Sequence, residues 1–211
     1  MPNSATRYSK RLHAEPHVFV LIGPGGAGKG TVAAALVSQD PTLWLSRSWT
    51  TRPPRAGEHE SGAYVFVDRP TFEDAIAEGR FLEWAEFLGN LMGTPISEPP
   101  SGADVLLEID VQGAEQVLVQ RPDATVIMLL PPSSDVQAAR LAARGDDEAH
   151  IRQRVDLGQS EVERGARIAH HTVVNEDLHQ AVAEVSAIVE GTRSVAHRAV
   201  NASPNPDLEE S

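Results

Sequence analysis

Short apolar runs alternate with segments of helical periodicity along most of the chain. Apolar, β-branched runs predict buried strands at 17–22, 105–110 and 124–130, and shorter strands are predicted at 43–48 and 172–174. Apolar positions at helical spacing predict helices over 29–39, from 113 onward, and over 134–144, 147–169 and 178–189. Strands that alternate with helices predict a parallel, doubly wound α/β sheet.

The segment 49–100 has a different pattern. After a polar loop rich in Pro, Arg and Gly, a strand is predicted at 64–67 and a short helix from Thr71, as its cap, to Gly79. Two further strands, at 81–87 and 91–92, flank a turn at Gly89-Asn90. We therefore predict a small mixed α+β insert in this segment.

The remaining chain divides around this insert. The core of a domain spanning 17–194 is predicted to comprise 17–48 and 101–194. The polar residues 1–16 are predicted to form a flexible arm, and 195–211 a disordered tail.

Composition excludes several functional classes. The 211 residues include no cysteine, so disulfides and thiolate metal sites are excluded. No apolar run approaches the ~18 residues of a membrane span, and the N-terminus lacks a secretory pattern, so we expect a cytoplasmic protein. The net charge of −12 argues against nucleic acid as a partner but leaves room for a small anionic ligand in a local positive pocket.

A glycine-rich loop follows the first predicted strand. Its residues match the G-x-x-x-x-G-K phosphate-binding pattern and are Gly23, Pro24, Gly25, Gly26, Ala27, Gly28, Lys29, Gly30 and Thr31. Glycines let backbone N–H groups converge on phosphate oxygens, and the lysine reaches the β- and γ-phosphates. A glycine-rich turn with an exposed lysine is the alternative, but the chain has only two lysines, which favours function. Gly30 replaces the usual Ser or Thr, so a direct Mg²⁺ ligand at Thr31 stays open.

A second candidate anion site lies in the loop SWTTRPPRAGE (48–58). Its arginines, Arg52 and Arg55, are three residues apart and stiffened by two prolines, so they can clamp one phosphate. Loops of this composition also commonly face solvent, and the spacing alone does not decide between the two.

Taken together, the motifs resemble those of bacterial guanylate kinases. The resemblance covers about residues 17–190 and rests on GPGGAGKGT (23–31), SWTTRPPRAGE (48–58), GAYVFV (62–67), FLEWAEFLGN (81–90), LLEIDVQG (106–113), RLAARG (140–145) and VVNEDL (173–178). It implies a P-loop NTPase-type parallel sheet flanked by helices, with a nucleotide-monophosphate-binding insert at 49–100 and a helical lid at about 140–155. It also implies phosphoryl transfer from ATP to GMP with Mg²⁺.

The resemblance also implies roles for individual residues. GMP would be held at its phosphate by Arg52, Arg55 and Tyr64, with Glu58 steadying the arginine loop, and at its base by Ser48, Glu83 and Thr94. Asp110 would serve Mg²⁺ or the GMP side, and Asn175 would lie near the ATP base, with a polar cap at the end of a strand as the alternative interpretation of Asn175. Lys29 would act on the transferred phosphoryl group with Arg140, Arg144 and Arg154, although solvated helix arginines are an alternative interpretation.

The chain departs from the family pattern on the acceptor side. Leu91 and Met92 replace tyrosines, Ala63 replaces an acid, and the segment after Thr94 is a few residues short. These departures leave two alternatives to GMP phosphorylation: a changed acceptor such as a ribose bisphosphate, or a binding module without catalysis. The retained Glu83 argues against the first, and the retained Lys29 against the second.

Overall fold

The computed structural model describes residues 16–54, 64–96 and 99–202, which contain nine strands and six helices. The strands are β1 (Val18–Ile22), β2 (Leu43–Leu45), β3 (Ser48–Thr50), β4 (Tyr64–Phe66), β5 (Phe81–Phe87), β6 (Asn90–Pro95), β7 (Asp104–Glu108), β8 (Thr125–Leu130) and β9 (His171–Val174). The helices are α1 (Lys29–Gln39), α2 (Arg69–Ala77), α3 (Val111–Gln120), α4 (Ser134–Ala143), α5 (Glu148–Gly165) and α6 (Leu178–Ala202).

Five strands form one sheet in the order β2-β7-β1-β8-β9, and all neighbouring strands are parallel. Alternate side chains of β1 enter two separate apolar layers. Phe19 and Leu21 pack with residues of α1 and α6, whereas Val20 and Ile22 pack with residues of α3. Helices therefore cover both faces, which confirms the predicted doubly wound α/β fold.

A second sheet, in the order β4-β3-β6-β5, contains one parallel and two antiparallel pairings. Helix α2 packs on it, and Phe72 of α2 stacks on Phe81 of β5 with ring centroids 4.4 Å apart. The mixed α+β insert is therefore confirmed. The insert strands lie between the core strands β2 and β7 in the chain, and helix α3, which follows β7, contacts β5 of the insert.

Three details of the insert differ from the sequence prediction. The single strand predicted at 43–48 is two strands, because the chain leaves the core sheet at Ser46-Arg47 and joins the insert sheet at Ser48. Helix α2 is capped by Asp68, which accepts from the Thr71 N–H, and not by Thr71.

The hairpin between β5 and β6 turns at Leu88-Gly89, one residue before the predicted Gly89-Asn90. Both turn residues have positive φ, 50° and 76°, which suits the right-handed twist of a hairpin. Placing the turn one residue earlier extends β6 to Asn90.

Helix α6 extends to Ala202, beyond the predicted end at 189 and into the predicted tail. No proline occurs in this stretch before Pro204, and alanines at 196, 199 and 202 favour helix. The correction applies to 195–202; residues 203–211 and the predicted arm, except for residue 16, lie outside the described residues. No helix within the described ranges combines the length and apolar character needed to cross a membrane.

Candidate active site

A cavity of about 440 Å³ lies between the carboxyl ends of the parallel strands and the insert. Carboxyl ends of parallel strands are where α/β folds bind ligands. Its walls come from the glycine-rich loop, the insert, the end of β7 and the lid. Among them are Gly23, Pro24, Gly25, Gly26, Gly28, Lys29, Gly30, Arg52, Tyr64, Met92, Glu108, Asp110, Arg144, Asp146, Arg154 and Glu161.

The glycine-rich loop needs glycine at its two ends. Gly23 (φ 143°) and Gly28 (φ 93°) have positive φ, and a Cβ at either would collide with Leu129 O or Asn175 Nδ2. Helix α1 begins at Lys29, whose Nζ donates to Gly23 O at 2.7 Å and so lies across the loop. The geometry is that of a phosphate cradle at a helix N-terminus.

Three side chains hold the back of this loop. Gln137 Nε2 donates to Gly25 O and Asn175 Nδ2 donates to Ala27 O, both at 2.8 Å. Arg140 donates to Ala27 O at 3.4 Å and to Asn175 O at 2.8 Å. Arg140 therefore holds a carbonyl of the loop and does not line the cavity, unlike Arg144 and Arg154. The sequence did not reveal this supporting function for Arg140, Asn175 or Gln137.

Glu108, the last residue of β7, is an acid of the cavity wall that interacts electrostatically with Lys29. Its Oε2 accepts from the Tyr64 hydroxyl at 3.3 Å and lies 3.5 Å from where a Cβ on Gly30 would be. Burial raises the pKa of Glu108, and the charge of Lys29 opposes that rise. Asp110, favoured by the sequence, also lines the cavity but accepts from the Gly113 N–H at 2.8 Å as the cap of α3.

Arg52 and Tyr64 meet on the insert side of the cavity. The Arg52 guanidinium lies 5.1 Å from the centroid of the Tyr64 ring, a cation–π contact that orients both side chains. Met92 lines the same cavity, whereas Leu91 is buried in the insert. Arg55, Glu58 and Ala63 lie outside the described residues.

Deeper in the insert, buried beyond the side chains that line the cavity, Ser48, Glu83 and Thr94 come together as predicted. Ser48 Oγ lies 3.3 Å from Thr94 Oγ1, and Thr94 is the partner of Glu83 in the β5–β6 register. The Glu83 Oε1 atom is buried and has no hydrogen-bond partner among the described residues. Burial raises the pKa of Glu83 to about 7, against a hydrogen bond with Thr94 and with a further contribution from Asp110.

The lid and the part of α5 that follows it contribute two arginines and two acids. Arg144 ends α4, and Arg154 on α5 lies 3.7 Å from Asp146 Oδ2. Glu161, two turns beyond Arg154, also lines the cavity, and burial raises its pKa while Lys29 opposes the rise. No sequence signal marks Glu161, because acids are frequent throughout this polar helix.

The residues of the cavity fit a magnesium ion only if a bound nucleotide supplies some of its ligands. The described residues contain no group of three or more side chains that could hold a metal ion. Mg²⁺ needs few protein ligands when phosphates and water supply the rest, and Glu108 and Asp110 offer carboxylates in the cavity. Thr31, the other candidate, does not line it.

The similarity to known proteins covers the core sheet, the insert and the residues that line the cavity. The family model described as guanylate kinase matches residues 15–192. A guanylate kinase of Thermus thermophilus is 45% identical over 181 residues, covering 83% of this chain and 81% of that protein. That of Synechococcus elongatus is 44% identical, covering 82% and 96%. The crystal structure of guanylate kinase from Anaplasma phagocytophilum superposes with a TM-score of 0.70 at 29% identity, covering 85% and 87%.

Proposed function

The chain belongs to the guanylate kinase family and transfers a phosphoryl group from ATP to GMP, and we propose that the two nucleotides bind on opposite sides of the cavity. The glycine-rich loop and the lid form the ATP side, and the insert forms the GMP side. The observation that carries this assignment is the buried oxygen of Glu83, which lies beside Ser48 and Thr94 and has no partner among the described residues.

On the GMP side, recognition of the base follows from hydrogen-bond chemistry. A carboxylate can accept from both the N1–H and the exocyclic amine of guanine, whereas adenine presents no such pair of donors. Ser48 and Thr94 add hydroxyls beside Glu83. Arg52 and Tyr64, together with Arg55 from the preceding loop, would hold the phosphate that accepts the transferred group.

On the ATP side, the loop N–H groups and Lys29 would bind the β- and γ-phosphates. Phosphoryl transfer needs positioning and charge stabilisation more than covalent chemistry. Arg144 and Arg154 line the cavity and would neutralise charge on the transferred group. Arg140 would act indirectly, by holding the carbonyl of Ala27.

Mg²⁺ would be held at the Glu108 end of the cavity, between the glycine-rich loop and β7. The ion would neutralise charge on the ATP phosphates when bound. Glu108 is the better-placed candidate, since Asp110 already uses one carboxylate oxygen to cap α3. Glu108→Gln should raise the Mg²⁺ concentration needed for half-maximal activity; an unchanged requirement would assign the ion to Asp110.

A coupled assay tests the assignment of the acceptor. ATP–Mg²⁺ should support turnover of GMP and dGMP, with little turnover of AMP, UMP or a ribose bisphosphate. Glu83→Gln should reduce the ratio of kcat/KM for GMP over AMP by about tenfold or more, because one guanine donor loses its charged acceptor. Equal turnover of GMP and AMP by the wild-type chain would contradict the base-reading role, and turnover of the ribose bisphosphate alone would identify a changed acceptor.

We also propose that the protein acts in the cytoplasm, with small nucleotides as its partners. The net charge of −12 disfavours nucleic acid as a further partner, because phosphate backbones and an acidic surface repel one another. Cell fractionation with an antibody against the chain would test the location.

A further inference from the structure

Strand β5, which carries Glu83, is an edge strand of the insert sheet. Its free side is covered by α3, a helix of the core. Gln116 of α3 makes two hydrogen bonds with the backbone of Trp84: Nε2 donates to the carbonyl at 2.8 Å, and Oε1 accepts from the N–H at 3.3 Å. Gln120 Nε2 donates to Leu82 O at 2.7 Å. The two amide side chains therefore take the place of a neighbouring strand.

A third contact lies between these two. A Cβ on Gly113 of α3 would collide with Glu83 Oε2, so the helix backbone approaches the carboxylate closely. Gly113, Gln116 and Gln120 are spaced by three and four residues, which places them on one face of the helix. This face contacts Glu83, Trp84 and Leu82, which are consecutive along β5.

We propose that Gln116, assisted by Gln120, is a positioning residue for guanine recognition. Its bidentate bond fixes the register of β5 against the core, and this register places the Glu83 carboxylate beside Gly113 and Asp110. The inference rests on the proposed role of Glu83 as the reader of the base. Both glutamines use their side-chain amides to bond backbone atoms of β5, so both act through the strand and do not bind the nucleotide.

The physical reason is the geometric demand of a double hydrogen bond. A carboxylate that accepts from two donors of a planar base must be placed within about 0.5 Å and about 10–20° of the productive geometry, since misaligned hydrogen bonds are weaker. The insert and the core are joined here through backbone atoms of an edge strand, which would otherwise bond water. Two side-chain amides on a rigid helix set the position that the strand alone does not.

Gln116→Met removes both hydrogen bonds at nearly constant side-chain size. We expect KM for GMP to rise about fivefold and KM for ATP to change by less than about twofold, because only the base-reading strand is displaced. Gln120→Met, which removes one bond, should give a smaller change in the same direction. Gln180→Met, in an exposed part of α6 remote from β5, is the matched control and should leave both KM values unchanged.

A double-mutant cycle links the effect to Glu83. In the Glu83→Gln background, adding Gln116→Met should leave the ratio of kcat/KM for GMP over AMP unchanged, since its effect in the wild type is transmitted through that carboxylate. If Glu83→Gln alone leaves this ratio unchanged, the proposed base-reading function fails and the inference fails with it.

If Glu83→Gln lowers the ratio but Gln116→Met leaves KM for GMP unchanged, the inference alone fails. It also fails if the two KM values rise together in proportion to a fall in Tm, because that pattern marks general loosening of the fold. Should Gln116→Met not fold, Gln120→Met in the same cycle decides between these outcomes.

Discussion

Glu83 combines two properties that oppose one another. Its carboxylate must be ionised to accept from guanine, yet burial raises its pKa to about 7. KM for GMP should therefore fall as pH rises from about 6 to 8, because the fraction of Glu83 that is ionised increases. Steady-state kinetics across this range would measure the effect. The GMP phosphate also titrates near pH 6, so the profile of Glu83→Gln, which retains only the phosphate contribution, is the control.

The same residue should make the free protein less stable at neutral pH. A folded-state pKa above the unfolded value of 4.5 means that folding favours the protonated form, so stability falls as pH rises from about 4.5 to 7. Glu83→Gln removes this penalty and should raise the free energy of unfolding at about pH 8 by up to about 3 kcal/mol, with little change at about pH 4.5. Urea unfolding at both pH values tests the sign; equal stability changes at both would contradict it.

Substitution of Lys29 should reduce activity without reducing stability. Its ammonium lies across the glycine-rich loop and contacts Gly23 O, outside the apolar layers of the core. Lys29→Ala should reduce kcat to less than about a tenth, because the charge acts on phosphates, while the circular dichroism spectrum stays that of the wild type. A variant that retains most of its activity would remove the lysine from the mechanism.

Met92 lies where the family pattern has a tyrosine, and it lines the cavity with Arg52 and Tyr64. Met92→Tyr should lower KM for GMP by a few-fold to about tenfold, the effect of one added hydrogen bond to a charged group. KM for ATP should stay nearly constant, because that site is built from other elements. Leu91→Tyr, which changes a buried position, is the matched control and should destabilise the insert without lowering either KM.

The amino-acid sequence predicted the chemistry of the site better than it predicted where each side chain lies. The group formed by Ser48, Glu83 and Thr94 could be anticipated, because Ser48 and Glu83 lie in motifs shared with guanylate kinases and the resemblance implies a role for all three. Arg140 could not be placed, because its helix presents arginines at two positions and only packing decides which one reaches the loop backbone. Glu108 was missed for a related reason: it ends an apolar strand, and the neighbouring Asp110 drew the assignment.

At the scale of single elements, the apolar periodicity predicted helices and strands well where they cross the core, and less well at their ends. Strand β1 was predictable because all of its residues are buried. The break between β2 and β3 was not, since LWLSRSW carries no proline or glycine and the chain simply changes sheets. Likewise, the end of α6 was misplaced, because the regular apolar spacing stops at the buried Val189 while the helix continues.

Helix α6 contains a glycine that the structure does not require. A Cβ at Gly191 would have no heavy atom within 4 Å, and the residue lies in the helix interior. Gly191→Ala should therefore stabilise the protein by about 0.5–1 kcal/mol, through helix propensity alone. Thermal unfolding would measure it.

Gly158 in α5 provides the matched comparison for this substitution. There a Cβ would lie 2.9 Å from Gln137 Nε2, the atom that donates to Gly25 O. Gly158→Ala should gain the same propensity but lose part of that bond, so its net stabilisation should be smaller and KM for ATP should rise. Equal stabilisation by the two substitutions would mean that the Gln137 side chain moves aside without cost.

In the molecule as a whole, the carboxyl and amino ends of the parallel strands have different roles. The cavity lies at the carboxyl ends of the strands. At the amino ends, Arg193 of α6 bonds Asp104 at the start of β7 at 2.7 Å and Asp40 at the end of α1 at 2.6 Å. Asp104 also accepts from the His17 N–H at 2.9 Å. These bonds link α6, α1, β7 and the residue that precedes β1. None of the bonded residues lines the cavity.

This separation predicts that stability can change without a change in catalysis. The three side chains are partly buried, and Arg193→Met would leave two carboxylates without their cation and should lower the free energy of unfolding by about 2 kcal/mol. That loss corresponds to a fall in Tm of about 4–8 °C for a chain of this size. KM for GMP and ATP at room temperature should be unchanged, because no bond of the cluster reaches the cavity.

The pH dependence of Arg193→Met distinguishes an ionic contribution from a packing one. Burial alone would raise the pKa of Asp40, but hydrogen bonds from Thr42 and Arg193 outweigh it and hold that pKa below its usual range. The stabilisation is therefore present above the unfolded pKa of about 3.8 and is lost as pH falls through the lower folded value. Urea unfolding should show the wild type and Arg193→Met converging in stability below about pH 4. A difference that stays constant down to about pH 3 would assign the effect of Arg193 to the packing of its side chain and not to its charge.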